Sequence, residues 1–172
     1  IIPEIIVNTI DIPIKINDKE EAVTFQEFHQ QLDKEAQQFS FDASEYIVIK
    51  GKEKTVIYFE ENSFCDCETK KELTGNIDFS LKEYYNIGDF LNAGLNTNSN
   101  DKYLQSAGTI DIEASQNGKE VCLKGNRDYK IFFPKNKMNK DSYKDMNIFT
   151  GDLDENGEVN WNVMEGGARL EN

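Results

Sequence analysis

The sequence has few of the residues on which most enzymes depend. Among 172 residues it has one histidine, one tryptophan, three prolines and three cysteines. His29 would have to serve every imidazole-based metal site or nucleophile–base pair of the chain. No Gly-x-Ser-x-Gly and no phosphate-binding glycine loop occurs. We therefore predict a protein that is not an enzyme and has no cofactor, apart from a weak calcium site considered below.

Basic residues and long apolar runs are also scarce. Nineteen lysines and arginines face 32 aspartates and glutamates, which gives a formal charge of −13. Nucleic acids and anionic lipids are normally bound by clustered basic residues, so neither is expected as a partner. No run approaches the ~20 apolar residues that a transmembrane helix needs, so direct membrane insertion is not expected. The acidity indicates solubility, with a cation-binding surface as the alternative.

The three cysteines leave two interpretations open. An odd number means that at least one thiol is free or paired with another chain. In an oxidising compartment Cys122 could form a disulfide with Cys65 or with Cys67. Otherwise all three are reduced and structural. The Cys-x-Cys spacing differs from the Cys-x-x-Cys of redox sites.

Three regions are expected along the chain. Residues 1–20 read as a leader or linker with an edge strand, in which Pro3 and Pro13 limit pairing. Residues 21–164 form the domain, and 165–172 a flexible tail. Because the chain starts without methionine or a signal peptide, we expect its targeting or anchoring segment to lie outside it.

A helix is predicted from Thr24 to Phe39. Thr24 and Glu27 have the spacing of a capping box. Apolar residues at steps of three and four then form one stripe along the helix. The stripe is expected to dock on a sheet, and a helix that binds a partner is the alternative. The stripe comprises Phe25, Phe28, Leu32, Ala36 and Phe39.

The rest of the domain has the pattern of short strands. In Gly75–Tyr85 the residues Ile77, Phe79 and Leu81 alternate with polar ones, which indicates one buried face. Asn117-Gly118 predicts a tight hairpin turn, Glu60–Glu72 reads as a loop, and Trp161 is placed in the core. The further strand signals are Tyr46–Lys50, Thr55–Phe59, Ala107–Glu113, Glu120–Lys124, Tyr129–Phe133, Met146–Thr150 and Glu158–Val163. About eight or nine strands at this spacing with one packed N-terminal helix predict a mainly β, antiparallel sandwich.

Two constellations could bind a ligand. Asp152, Asp154 and Asn156-Gly157 match the first half of a calcium loop, although the position of its last ligand is a valine; an acidic hairpin turn is the alternative. The second group could line a carbohydrate or peptide groove, because tyrosines stack on sugar rings; it comprises Tyr84, Tyr85, Asn96, Asn98 and Tyr103.

Residues Phe39–Trp161 also carry a more specific pattern. Its clearest pieces are Ile49-Lys-Gly-Lys-Glu-Lys-Thr-Val-Ile-Tyr-Phe59, Leu73-Thr-Gly-Asn-Ile-Asp-Phe-Ser-Leu-Lys-Glu-Tyr-Tyr85, Leu104-Gln-Ser-Ala-Gly-Thr109 and Ile131-Phe-Phe-Pro134. This order resembles a module of Gram-negative bacterial envelope proteins, many of unknown function. It is similar to the β-sandwich domain of ankyrins, netrin receptors and zonula occludens scaffolds. Glu60 and Glu61 stand where the pattern usually has proline and glycine.

The resemblance implies a structural or protein-interaction module without catalysis. It implies an extracytoplasmic place in a bacterium, periplasmic, secreted or lipid-anchored, and a partner that is a protein or a neighbouring domain. A carbohydrate- or peptide-binding domain is the alternative function. An interaction module should expose an apolar patch or a free sheet edge, a ligand binder a concave aromatic groove, and an enzyme shifted pKa values in a cleft.

Overall fold

The fold is described by a computed structural model over residues 25–96, 98–99, 102–104, 106–134, 147–154 and 159–164. The expected leader at 1–20 and tail at 165–172 lie outside these residues. The elements are α1 (Phe25–Leu32), β1 (Gln37–Asp42), β2 (Ile47–Lys50), β3 (Val56–Phe59), β4 (Phe64–Asp66), β5 (Asn76–Tyr84), α2 (Ile87–Asn92), β6 (Asn98–Ser99), β7 (Lys102–Tyr103), β8 (Thr109–Gln116), β9 (Lys119–Leu123), β10 (Tyr129–Phe132), β11 (Phe149–Leu153) and β12 (Val159–Val163).

The larger sheet is antiparallel and has the order β1-β5-β8-β9-β4. Its longest strand, β5, alternates as predicted, because Ile77, Phe79 and Leu81 are all buried. The turn from β8 to β9 is also confirmed. Asn117 and Gly118 have φ values of 53° and 75°, the positive φ pair that a tight hairpin of this hand requires.

The smaller sheet has the order β10-β3-β2 and packs on the larger one. Strands β2 and β3 form a hairpin closed by a hydrogen bond from the Gly51 amide to the Thr55 carbonyl, 2.8 Å long. Ile49 and Ile57 are paired in its register and both are buried. The alternation of β2 therefore directs Ile47 and Ile49 inward and Val48 and Lys50 outward.

A cluster of phenylalanine rings fills the space between the two sheets. The ring centroids of Phe59 and Phe64 are 5.1 Å apart, and those of Phe59 and Phe79 are 5.8 Å apart in an edge-to-face arrangement. Phe41 from the edge strand β1 contacts Phe64 at 5.6 Å. Such pairs add to the apolar burial that holds a sandwich together. The predicted class, a mainly β antiparallel sandwich with a helix before it, is confirmed.

The helix is shorter than predicted. It ends at Leu32, and the predicted stripe residue Phe39 belongs to β1 instead. The helical spacing predicted the wrong element for Phe39 because this residue also fits the period-2 alternation of a strand. In the structure Phe39 pairs with Phe79 of β5 and is not part of the helix. Phe28 and Leu32 remain 52% and 45% exposed, so the stripe is only partly covered. The His29 ring contacts the Asn92 carbonyl of α2 at 3.0 Å.

Two other expectations were wrong in detail. The segment Glu60–Glu72 is not only a loop, because its residues 64–66 form β4 at the edge of the larger sheet. Trp161 is half-buried on the β11–β12 hairpin and lies outside the central core cluster. Its indole N–H donates to the Asn96 carbonyl at 2.9 Å, a polar partner of the kind that a partly buried indole needs.

Candidate functional site

The outer surface of the smaller sheet carries an apolar stripe, which we call the aromatic face: exposed Tyr46, Val48 and Phe132 together with half-buried Tyr58. Tyr46 is 57% exposed, Val48 42% and Phe132 46%. Their position follows from strand alternation, because the inward residues of the same strands fill the core. Large apolar side chains on the outward positions have no role in that core.

The aromatic face is continuous across all three strands. Tyr58 lies on the central strand and is paired with Val48 on one side and Lys130 on the other. Its ring centroid is 6.2 Å from that of Tyr46 and 5.5 Å from that of Phe132, with the latter pair edge to face. These distances are those of interacting rings. The side chains therefore form one patch rather than scattered exposed residues.

Two lysines border the aromatic face. Lys50 and Lys130 lie on exposed outward positions of β2 and β10. Neither forms an ion pair with any residue in the described ranges. On a chain with a net charge of −13, this surface thus combines apolar area with two cationic groups. Such a surface is complementary in physical terms to apolar side chains bordered by carboxylates.

The smaller sheet also has two unpaired edges within the described part of the chain. Strands β2 and β10 each pair with β3 alone. Edge strands present backbone N–H and C=O groups that another strand can pair with. The patch and the edges belong to the same sheet.

A second constellation, the polar cluster, lies at the end of β5 near the β2–β3 turn. Glu83 is fully buried, and its carboxylate accepts hydrogen bonds from the amides of Thr55 (2.9 Å) and Glu53 (2.8 Å) and from the Gln37 side chain (2.8 Å). Burial alone would raise the pKa of Glu83, but these hydrogen bonds outweigh it and the pKa is lowered. The Glu83 carboxylate thus holds the β2–β3 turn in place through its hydrogen bonds with Glu53 and Thr55.

The neighbouring charges of the polar cluster are paired as well. The Lys34 ammonium binds Glu53 at 2.7 Å and Asp89 at 2.6 Å and also donates to the Glu83 carbonyl. Burial would lower the pKa of Lys34, and the two carboxylates more than offset this and raise it. The Tyr84 hydroxyl donates to Asp33 at 3.0 Å. This network ties the segment between α1 and β1 to β5, to the β2–β3 turn and to α2.

A shallow groove on the outer surface of the larger sheet is a third candidate. Its lining includes Asp78, Lys82, Asp111 and Glu113. Partial desolvation raises the pKa of Asp111, Lys82 opposes this rise, and Glu113 adds to it. The lining contains serines and carboxylates but no imidazole or thiol. This arrangement gives no pair of nucleophile and base of the usual kind.

Three of the residues predicted for the sugar or peptide groove, Tyr84, Tyr85 and Asn96, already contact other residues of the chain. Tyr84 is buried, 3% exposed, with its hydroxyl bound to Asp33. The Tyr85 hydroxyl is 2.6 Å from that of Thr55, and its ring packs so closely on Gly108 that a Cβ there would lie 2.3 Å from it. The Asn96 carbonyl binds Trp161. Asn98 and Tyr103 lie on β6 and β7, paired with each other.

The predicted calcium residues lie on and beside β11. The Asp152 carboxylate accepts a hydrogen bond from the Asn162 amide at 3.0 Å, and Asp154 is exposed. Asn156 lies outside the described residues. Among the residues that are described, no group of three or more histidine, cysteine, aspartate or glutamate side chains is arranged to hold a metal ion.

The structure selects one of the open cysteine pairings. Cys67 and Cys122 form a disulfide with Cα atoms 5.0 Å apart, and Cys65 is a buried free thiol. The sequence left the disulfide partner of Cys122 open because residues 64–66 were predicted as part of a loop, whereas they form strand β4. The aromatic face was also missed. The run Tyr46-Ile-Val-Ile, apolar on both faces of a strand, was the signal for it.

Comparisons with models of protein families, with characterised proteins and with solved structures find no match to this chain. None of the helices described above is long and apolar enough to span a membrane.

Proposed function

We propose that this chain is a non-catalytic structural or protein-interaction module and that the aromatic face is its contact surface. The observation that carries the proposal is the continuous stripe of Tyr46, Val48, Tyr58 and Phe132 on a solvent-facing sheet. Contiguous apolar patches of this kind on soluble domains mark interaction sites. Tyrosines are also over-represented among the residues that dominate binding energy.

The partner that fits this surface is a protein or a neighbouring domain of the same polypeptide. Lys50 and Lys130 border the patch, so carboxylates at the rim of the partner would be attracted to it. The exposed edge of β2 would allow an extended segment to pair with the sheet beside the stripe. Neither nucleic acid nor a lipid surface matches the overall charge of −13.

The proposed location is outside the bacterial cytoplasm, in the periplasm or as a secreted or lipid-anchored protein of the cell envelope. The Cys67–Cys122 disulfide supports an oxidising compartment, because cytosolic thiols are kept reduced. This support concerns the compartment and is independent of the contact surface.

Carbohydrate binding through the same face is the second candidate, because exposed Tyr46 and Phe132 rings can stack on sugars. The protein partner is favoured. A sugar site needs convergent hydrogen-bonding groups beside its rings, whereas Val48 is a register partner of Tyr58 and Val56 is the register partner of Phe132.

The experiment is a matched pair of surface variants in the cells that produce the protein. Val48→Asp places a charge on the aromatic face next to the central Tyr58, and Glu113→Lys changes a charge on the opposite side of the sandwich. We expect the first variant to lose co-purification with its protein partner and the second to retain it, with both still folded by circular dichroism. Equal retention by both variants would refute the proposed surface. If Val48→Asp loses binding to an immobilised glycan but still co-purifies with the protein partner, the carbohydrate function is supported instead.

A further inference from the structure

Strands β4 and β9, together with the turn that follows β4, bring all three cysteines of the chain to one place. Cys65 and Cys122 are direct partners in the antiparallel register. Cys67, two residues further along the chain, is bonded to Cys122 across a sequence separation of 55 residues. The free thiol is thus the cross-strand neighbour of one sulfur of the disulfide.

The three cysteines lie on the same side of the sheet. Phe64 belongs to the central core cluster and Val121 packs against that cluster, whereas their chain neighbours Cys65 and Cys122 do not belong to it. Direct partners in an antiparallel pair project to the same face. Cys65 is only 2% exposed, and its backbone forms a β-bridge with Glu72.

Cys122 is within reach of either cysteine. Direct antiparallel partners have Cα atoms about 4.5–5.5 Å apart, and disulfides form over Cα distances of about 4.4–6.8 Å. The observed pair, Cys67 and Cys122, is at 5.0 Å. Both pairings therefore satisfy the same distance requirement with little movement of the strands.

We propose that these residues form an intramolecular thiol–disulfide exchange site. The Cys65 thiol loses its proton to water, and the resulting thiolate attacks Cys122 Sγ. The Cys65–Cys122 bond forms as the Cys67–Cys122 bond breaks, and Cys67 leaves as a thiolate that takes up a proton. One disulfide is exchanged for another, so the step needs no oxidant or reductant. It is independent of the aromatic face.

The exchange changes where the free thiol lies. Before it, the thiol is that of buried Cys65; after it, the thiol is that of half-buried Cys67 in the surface turn. A Cys67 thiolate can attack a disulfide of a second protein, which forms a mixed disulfide with Cys67 while the other cysteine of that disulfide leaves as a thiolate. The partner class for this site is therefore a disulfide-bearing protein of an oxidising compartment.

The test uses Cys67→Ser and Cys65→Ser, folded in the same glutathione redox buffer and mapped by peptide mass spectrometry. We expect Cys67→Ser to form the Cys65–Cys122 disulfide completely, so that free thiols fall from two per chain to none. Cys65→Ser should retain Cys67–Cys122. If Cys67→Ser keeps two free thiols under conditions in which Cys65→Ser is fully oxidised, the proposal is overturned.

The unmodified protein provides a second measurement that does not depend on a variant folding. It is held folded at pH 8.5 without any other thiol, treated with N-ethylmaleimide and then mapped. Alkylated Cys67 together with a Cys65–Cys122 linkage, increasing with time, is the expected result. If Cys65 is the only free thiol found at every time and after acid-quenched denaturation, the exchange does not occur.

Discussion

Glu83 shows how one buried carboxylate can fix the shape of a neighbouring hairpin. It accepts amide hydrogen bonds from Glu53 and Thr55, two residues of the β2–β3 connection, and a third bond from Gln37 on β1. These donors would be left unpaired in a sandwich without that carboxylate, at a cost of about 1–3 kcal/mol each. The hairpin that displays the aromatic face is therefore tied to β5.

Replacement of Glu83 by glutamine should destabilise the protein by about 1–3 kcal/mol, because an amide group faces donors that need an acceptor. The lowered pKa of Glu83 sets the pH dependence. Its stabilisation is full above the unfolded pKa of about 4.5 and is lost as the pH falls through the folded value. Urea unfolding from pH 7 to pH 3 should show the two proteins converging at low pH. Glu113→Gln, on the exposed outer surface, should change stability by less than ~0.5 kcal/mol, and a constant gap for Glu83→Gln would contradict the assignment.

The Tyr85 hydroxyl should lose its proton at a higher pH than a free tyrosine does. Burial raises its pKa to about 12, the Glu83 and Glu53 carboxylates add to the rise, and the hydrogen bond with Thr55 opposes it. The neutral phenol is favoured by folding, so this stabilisation is present below about pH 10 and is lost as the pH rises towards 12. Absorbance at 295 nm should show a step near pH 12 that Tyr85→Phe removes and Tyr129→Phe, at an exposed position, keeps. An unchanged step in Tyr85→Phe would show that another tyrosine produces it.

At the scale of elements, strands with a single buried face were predictable and the residues that join elements were not. The alternation of Ile77, Phe79 and Leu81 and the Asn117-Gly118 turn each have a local physical cause, and both are present in the structure. The position of Phe39 in β1 depends on its pairing with Phe79 of β5, a contact distant in sequence. Glu83 lies two residues after Leu81, at the next buried position of β5. An apolar residue is normally expected at such a position.

The β2–β3 turn makes an element-scale prediction through Gly51. A Cβ at this position would lie 2.5 Å from the carboxylate carbon of Glu83, far inside van der Waals contact. Gly51→Ala should therefore displace the Glu83 carboxylate and cost about 1–3 kcal/mol in thermal unfolding. Gly125→Ala is the matched control, because nothing lies within 4 Å of its Cβ position. Equal unfolding temperatures for the two variants would disprove the close packing of the turn on Glu83.

For the whole molecule, the Cys67–Cys122 disulfide closes a loop that spans β5, α2 and β8. Its loss in Cys122→Ser should lower the free energy of unfolding by about 2–4 kcal/mol, because the unfolded chain is no longer constrained. Cys67→Ser should lose less than Cys122→Ser if Cys65 takes over the bond. Chemical unfolding with and without reductant measures both differences. Losses of equal size would mean that the substitute disulfide does not form.

The fold class of the whole molecule follows from its strand signals, but the location of the candidate surface does not. Which face of β2 meets the core depends on its pairing with β3 and on the larger sheet. In sequence, Tyr46 and Val48 look like core residues because β-branched and aromatic residues favour any strand. Only the position of Ile47 and Ile49 in the core shows that the others face outward.

The central claim is that the aromatic face binds a protein or a neighbouring domain of the same polypeptide, and site-specific photo-crosslinking in the producing cells tests it most directly. A benzophenone amino acid replaces Val48 in one protein and Glu113, on the outer face of the larger sheet, in the other. We expect irradiation to give a defined adduct with one polypeptide from position 48 and none from position 113. Adducts from position 113 alone, or no adduct from position 48 at native expression levels, would contradict the account.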